Sequence, residues 1–179
     1  TGGATPAERP NVLLIVVDTL RVDRLATMPA VTAFAEQAAA FTGAQTPRAK
    51  TTPAVASLMT GLYPHDHGVR DLAMRLDRGV PVLAEAFTRG GYRTIGIVGN
   101  YVVTDARSGL ARGFRMWVED LPDLVGVPPH HAPQRRADSL TDAALVALGL
   151  EPPPPASAAG PHLAGIDASG PWMMYLHYM

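Results

Sequence analysis

Apolar positions along the chain follow two periods. Val12–Val17 is an unbroken aliphatic run, the pattern of a β-strand buried on both faces, and it stops abruptly at Asp18. Tyr92–Val98, closed by Gly99-Asn100, and Trp172–Tyr178 read as further strands. Between them the spacing becomes helical. Pro29–Ala40 carries Val31, Phe34, Ala35 and Ala38 at helical intervals, with Pro29 suited to a first turn. Thr51–Thr60 reads as a loop entering a helix that Gly61 stops; Thr52 is placed as its cap, Pro53 as its first residue and Thr51 just outside. Val80–Arg89 predicts an amphipathic helix ended by Gly90-Gly91. Arg135–Leu150 predicts another, with Leu140, Ala144, Leu145 and Leu148 on one side.

Strands that alternate with helices predict an α/β layered sandwich with a largely parallel central sheet flanked by helices. Residues 1–10, polar with Gly and Pro, read as a leader or linker, and 11–179 as part of one α/β domain. Within it, 151–170 contains four consecutive prolines and reads as an irregular surface excursion. No internal repeat is visible.

Composition narrows the function classes. Hydrophobic residues make up 47% and charged residues 17%, which is globular. A formal net charge of −1 gives no reason to expect nucleic acid as a partner. The absence of cysteine excludes disulfides, thiolate metal sites and a cysteine nucleophile. No apolar run is long enough to cross a bilayer, and no signal segment opens the sequence.

Two positions stand out for chemistry. Asp18 follows a buried strand, where open α/β sheets place their ligands, and its oxygens suit a hard divalent cation; a helix N-cap is the plainer alternative. Thr51 lies at a helix amino terminus, where free N–H groups and the positive dipole end favour an anionic ester. Its hydroxyl becomes a nucleophile once a metal or base lowers its pKa; an ordinary capped helix is the plainer alternative.

The order of several segments resembles one family. Arg9-Pro10-Asn11 and the following strand through Asp18-Thr19-Leu20-Arg21 resemble the first strand and metal loop of the sulfatases, members of the alkaline phosphatase superfamily. Met28-Pro29-Ala30-Val31 with Phe34-Ala35 matches the next helix of that family. Thr51-x-Pro53, followed by Leu58-Met59-Thr60-Gly61 and Pro64-His65-Asp66-His67-Gly68-Val69, is similar to the nucleophile helix and its turn. Gly91-Tyr92-Arg93-Thr94, Gly113-Phe114 and the strand 172–179 continue the match in order.

The resemblance implies an alkaline phosphatase-like fold and a metal-dependent hydrolase of sulfate or phosphate esters. Thr51 would be the catalytic nucleophile, and Asp18 and Thr51 would touch a divalent metal: calcium by family habit, with magnesium, manganese or zinc as alternatives. Lys50, Asn100 and His177 are the candidate substrate-binding residues. A small-molecule, glycan or lipid ester is the implied partner, and export or a membrane anchor the implied location. The family's remaining metal ligands and its Asp-Pro-His lie in a carboxyl-terminal half, so the chain is expected to be an incomplete amino-terminal part, inactive alone.

Departures from the pattern steer the expectation. Threonine cannot become formylglycine, Val55 stands where the helix arginine lies, Thr19 replaces the second aspartate, and Asn100 replaces the strand-end lysine. These favour a phosphoesterase or phospho-transferase branch over a sulfate specialist. The alternatives are an inactive sulfatase relative and a non-catalytic α/β domain that binds an anion without metal. His65, Asp66 and His67 superficially resemble a metal cluster, but their family counterparts form a structural turn. Arg21 and Asp23 are expected to organise the first loop, and His130-His131 to be exposed.

Overall fold

The computed structural model describes residues 9–121, 133–150 and 170–179. Of the leader or linker expected over 1–10, residues 1–8 fall outside the described residues, as do His130-His131 and 151–169 of the proline-rich excursion. Four parallel strands, β1 (Val12–Val17), β2 (Arg93–Val98), β3 (Met116–Val118) and β4 (Trp172–Tyr178), form one sheet in the order β1-β4-β2-β3. The last strand of the described chain is therefore central. Its register runs from Met173 opposite Val12 and Thr94 to His177 opposite Val16 and Val98.

Side-chain alternation sorts the sheet into two cores. On one face Met173 and Tyr175 of β4 and Val98 of β2 pack with Val55, Ala56 and Met59 of helix α2 (Thr51–Thr60). Val12, Leu14 and Val16 of β1 join this core, so the same alternation points Asp18 toward α2. On the other face Ile95, Ile97, Met174 and Leu176 pack under Leu140, Ala143, Ala144 and Ala147 of helix α6 (Ala137–Ala147).

That second layer covers β2 and β4 but stops short of β1. Val12–Val17, expected to be buried on both faces, has Leu13 and Ile15 about half exposed, at 49% and 50%. The reason is its place at the edge of the described sheet, while α6 packs on β2 and β4. Likewise no residue of the 3-10 helix Val22–Thr27 or of α1 (Pro29–Ala35) is buried.

The helices are shorter than their apolar spacing predicts. α1 ends at Ala35 instead of Ala40, α6 spans 137–147 within the expected 135–150, and α4 (Leu83–Arg89) begins after Val82. At α4 the Glu85 carboxylate accepts the Val82 N–H at 3.1 Å and so fixes the helix start. Two short helices, α3 (Pro64–His67) and α5 (Asp105–Ser108), complete the set. No described helix is long and apolar enough to cross a membrane.

Gly113 ties the second half of the sheet to α4. Its φ is +79°, and a Cβ there would lie 2.3 Å from the Glu85 nitrogen and 2.7 Å from the Ala84 carbonyl carbon. Its carbonyl also accepts both Thr88 Oγ1 and Thr94 Oγ1, each at 2.6 Å. Because the obstruction is backbone, Gly113→Ala must displace the start of α4. The variant is expected to lose about 3 kcal/mol or more in urea denaturation. A change under about 0.5 kcal/mol would show that α4 shifts freely.

Candidate active site

The carboxyl ends of β1, β2 and β4 and the amino terminus of α2 meet at one carboxylate. Pairing with β4 continues to Asp18, whose N–H donates to the Tyr178 carbonyl at 2.9 Å. The next residue, Thr19, adopts φ +57°. For a β-branched residue this left-handed conformation costs on the order of 1–2 kcal/mol, and it turns the chain sharply out of the strand. Beyond it Arg21 and Asp23 form an exposed two-pronged pair at 2.9 Å, as the sequence suggested. The cap of the following 3-10 helix is Arg21, so Asp18 does not serve as its N-cap.

Thr51 Oγ1 donates to Asp18 Oδ2 at 2.9 Å and lies 3.3 Å from Oδ1, across 33 positions of sequence. Thr51 is the first residue of α2 itself; the cap position belongs to Lys50. Thr52, expected to cap, is instead buried. Its hydroxyl donates to the Val102 carbonyl at 3.2 Å and accepts the Ala73 N–H at 3.0 Å. The helix begins earlier than expected because this side chain ties α2 to two neighbouring loops instead of to its own first turn.

Asn100, just past β2, donates from Nδ2 to Asp18 Oδ2 at 2.8 Å, while its Oδ1 accepts the Val102 N–H at 3.1 Å. His177, fully buried in β4, brings Nε2 to 3.4 Å from the same oxygen. Behind it the Tyr175 hydroxyl lies 2.6 Å from Nδ1. Asp18 Oδ2 is thus crowded by donors, whereas among the described residues Oδ1 meets only the longer Thr51 contact.

Burial alone would push the Asp18 carboxyl up. The hydrogen bonds of His177, Thr51 and Asn100 outweigh it and hold the group below the ordinary carboxylate value. Asp18 is therefore ionised near neutral pH and a weak base. Tyr175 moves the other way: burial, and then the Asp18 charge, push its phenol far above the ordinary value.

A cleft of about 760 Å³ opens over this point, lined by Asp18, Thr19, Lys50, Thr51 and His177 and walled by residues 44–49. Lys50 lines it with its ammonium paired to Asp71 at 2.7 Å. Asn100 is buried beneath and engaged on both ends of its amide. His67 is structural in its contacts: Nδ1 accepts the Val69 N–H at 3.1 Å and Nε2 meets Ser57 Oγ at 2.9 Å.

Of the residues singled out in the sequence, the fold brings Asp18, Thr51, Asn100 and His177 together and sets Lys50 at the cleft wall. Tyr175 was not singled out. Its alternation with His177 on one strand face was the only available signal. In kind, a carboxylate and a hydroxyl suit a hard divalent cation; in number, they are two of the six or more oxygens such an ion takes. No group of three acidic, histidine or cysteine residues able to hold a metal occurs among the described residues.

A protein-family model described as Sulfatase matches residues 10–179. The fold is similar to a solved structure described as BT4656 in complex with its substrate D-glucosamine-2-N,6-O-disulfate, with a TM-score of 0.71 at 18% identity over 96% of this chain. It is also similar to the phosphonate monoester hydrolase of Agrobacterium radiobacter, with a TM-score of 0.62 at 24% identity over 96% of this chain. At these identities the likeness is one of fold, alkaline phosphatase-like in both cases. The chain spans 34% and 41% of those two proteins. No curated protein matches.

Proposed function

Because the chain belongs to the sulfatase family, we propose that it supplies the amino-terminal share of the active site of a metal-dependent hydrolase of sulfate or phosphate esters. One observation carries this reading: the Thr51 hydroxyl and the Asp18 carboxylate, far apart in sequence, meet at 2.9 Å on the floor of a cleft at the strand ends.

In this reading Thr51 Oγ attacks the phosphorus or sulfur, the ester oxygen leaves with its alcohol, and water later releases the group from the threonine. Attack from the first turn of α2 brings the developing negative charge toward that turn's N–H groups, which have no acceptor within the helix. Asp18, ionised and held from below by Asn100 and His177, offers its less occupied Oδ1 to the cleft. Asp18 and Thr51 would hold a divalent metal, calcium by family habit, together with ligands from elsewhere in the protein. Such an ion, when bound, polarises the ester and lowers the pKa of the hydroxyl. Asn100 and His177, expected from the resemblance as substrate contacts, act in this reading on the carboxylate; Lys50 remains a candidate for a substrate oxyanion at the wall.

Threonine at position 51 supports phosphate or phosphonate esters over sulfate esters. Assayed on matched aryl esters, the full-length protein is expected to prefer the phosphate. A strong sulfate preference would contradict the role given to Thr51. Phosphate binding that survives chelation, without turnover of either ester, would favour the metal-free anion-binding alternative.

A further inference from the structure

The contacts behind His177 make a demand that the proposed reaction does not explain. The imidazole is fully buried between two polar groups, the Tyr175 hydroxyl at 2.6 Å from Nδ1 and Asp18 Oδ2 at 3.4 Å from Nε2. A neutral imidazole has one N–H, so one nitrogen donates and the other accepts. An ionised carboxylate accepts only, which favours the proton on Nε2. A phenol has a proton to give, and Nδ1 is then free to receive it. Both ends of the ring select the same form.

The phenol is also fixed in place. Tyr175 pairs in register with Gly96 on β2, and Gly96 pairs with Trp117 on β3. A Cβ at Gly96 would lie 2.4 Å from the Trp117 ring. The glycine therefore leaves room for the indole to lean over the sheet and stack against the tyrosine, with centroids 6.5 Å apart. Phe114 flanks the same ring at 6.3 Å. For packing alone a phenylalanine would serve equally well at position 175. The hydroxyl is the part that packing does not require, and a buried hydroxyl needs a partner.

We propose that Tyr175 is a positioning residue: its buried hydroxyl locks His177 in the Nε2–H form, and His177 in turn holds Asp18 Oδ2 so that Oδ1 faces the cleft. The role of Asp18 toward a metal rests on the function proposed above; the state of the histidine does not. In its other neutral form, His177 would turn a lone pair toward the carboxylate, push it away and loosen the contact with Thr51. Outer-shell partners of this kind typically change metal affinity 10–100-fold.

The test is nitrogen NMR of full-length protein labelled at histidine, with the His177 signals assigned by their loss in His177→Gln. Wild type is expected to show a neutral ring with the proton on Nε2. A wild-type ring with the proton on Nδ1, or doubly protonated at pH 7.5, overturns the proposal whatever any variant does. Tyr175→Phe leaves Nδ1 without its donor, so the Nδ1 signal is expected to move toward that of a free lone pair while the carboxylate still draws the proton to Nε2. The variant should also weaken calcium binding, measured calorimetrically, by about tenfold or more, and lower kcat with little change in KM. Unchanged nitrogen shifts in a folded Tyr175→Phe protein overturn it too. Failure of the hydrolase reading looks different: wild type turns over no ester while the histidine signals still respond to the loss of the hydroxyl.

Discussion

Thr51→Ala in the full-length protein is expected to lower kcat for an aryl phosphate by about 10⁴-fold or more, some 5.5 kcal/mol in the barrier. The size follows from the proposed role: with Thr51 as the nucleophile, no covalent intermediate forms without its hydroxyl, and only binding and charge stabilisation remain. The effect on folding should be far smaller. Thr51 Oγ1 makes its contact with Asp18 alone among the described residues, and a half-buried hydrogen bond to a charged group contributes about 1.5–3 kcal/mol. Thr51→Ser keeps the oxygen and should retain activity within roughly tenfold. Steady-state kinetics on the three proteins, with melting curves as a folding check, decide the matter. Activity in Thr51→Ala within tenfold of wild type removes Thr51 as the nucleophile.

Asp18→Asn should be the second most damaging change. The amide keeps the shape but removes the charge. It also turns a carboxylate surrounded by donors into a group whose own N–H₂ faces the Asn100 amide or the Thr51 hydroxyl. With Asp18 in the metal-holding role proposed above, its loss is expected to remove several kcal/mol of transition-state stabilisation, about 10³-fold in kcat. A thermodynamic readout separates this from general damage. A divalent ion at a hundred times its Kd stabilises wild type by about 2.7 kcal/mol, and the variant should show almost none of that shift. Full retention of the metal-induced shift would place the ion elsewhere.

The acid limb gives the same variant a second signature. The folded-state pKa of Asp18 lies below its ordinary value, so the carboxylate adds stability above about pH 4 that is lost as pH falls through the folded value. Asp18→Asn should flatten that part of the stability profile while leaving the neutral region merely offset.

How much of this was legible in advance differs between elements. β4 and the position of Asp18 at the end of β1 were readable because a run of aliphatic residues cut off by a carboxylate is a local signal. The meeting of Asp18 with Thr51 was suggested only by the order of several weak segments, since no local rule joins positions 33 apart. β3 escaped notice because Met116–Val118 is too short to show a period. The strand order was not legible, because inserting β4 between β1 and β2 is decided by pairing across most of the chain. The start of α2 was misplaced by two residues for a related reason: Thr52 is occupied by Val102 and Ala73, which a sequence window around the helix does not contain. The role of Tyr175 was not legible, because strand alternation places it on the face of His177 without showing which ring nitrogen its hydroxyl meets.

The edge position of β1 also bears on how the protein is made. The only strand that β1 pairs with in the described sheet is β4, and the Asn11 side chain that accepts the Trp172 N–H reaches across 161 positions. At roughly 5–20 residues per second, a ribosome takes on the order of ten seconds or more to deliver that partner. Throughout the interval Val-Leu-Leu-Ile-Val-Val, uncharged and free of proline, is exposed with both edges unpaired, the composition most prone to stack with its own kind. Pairing over so long a separation is also slow once both strands exist. Yield is therefore expected to respond to chaperone supply more steeply than final stability would indicate.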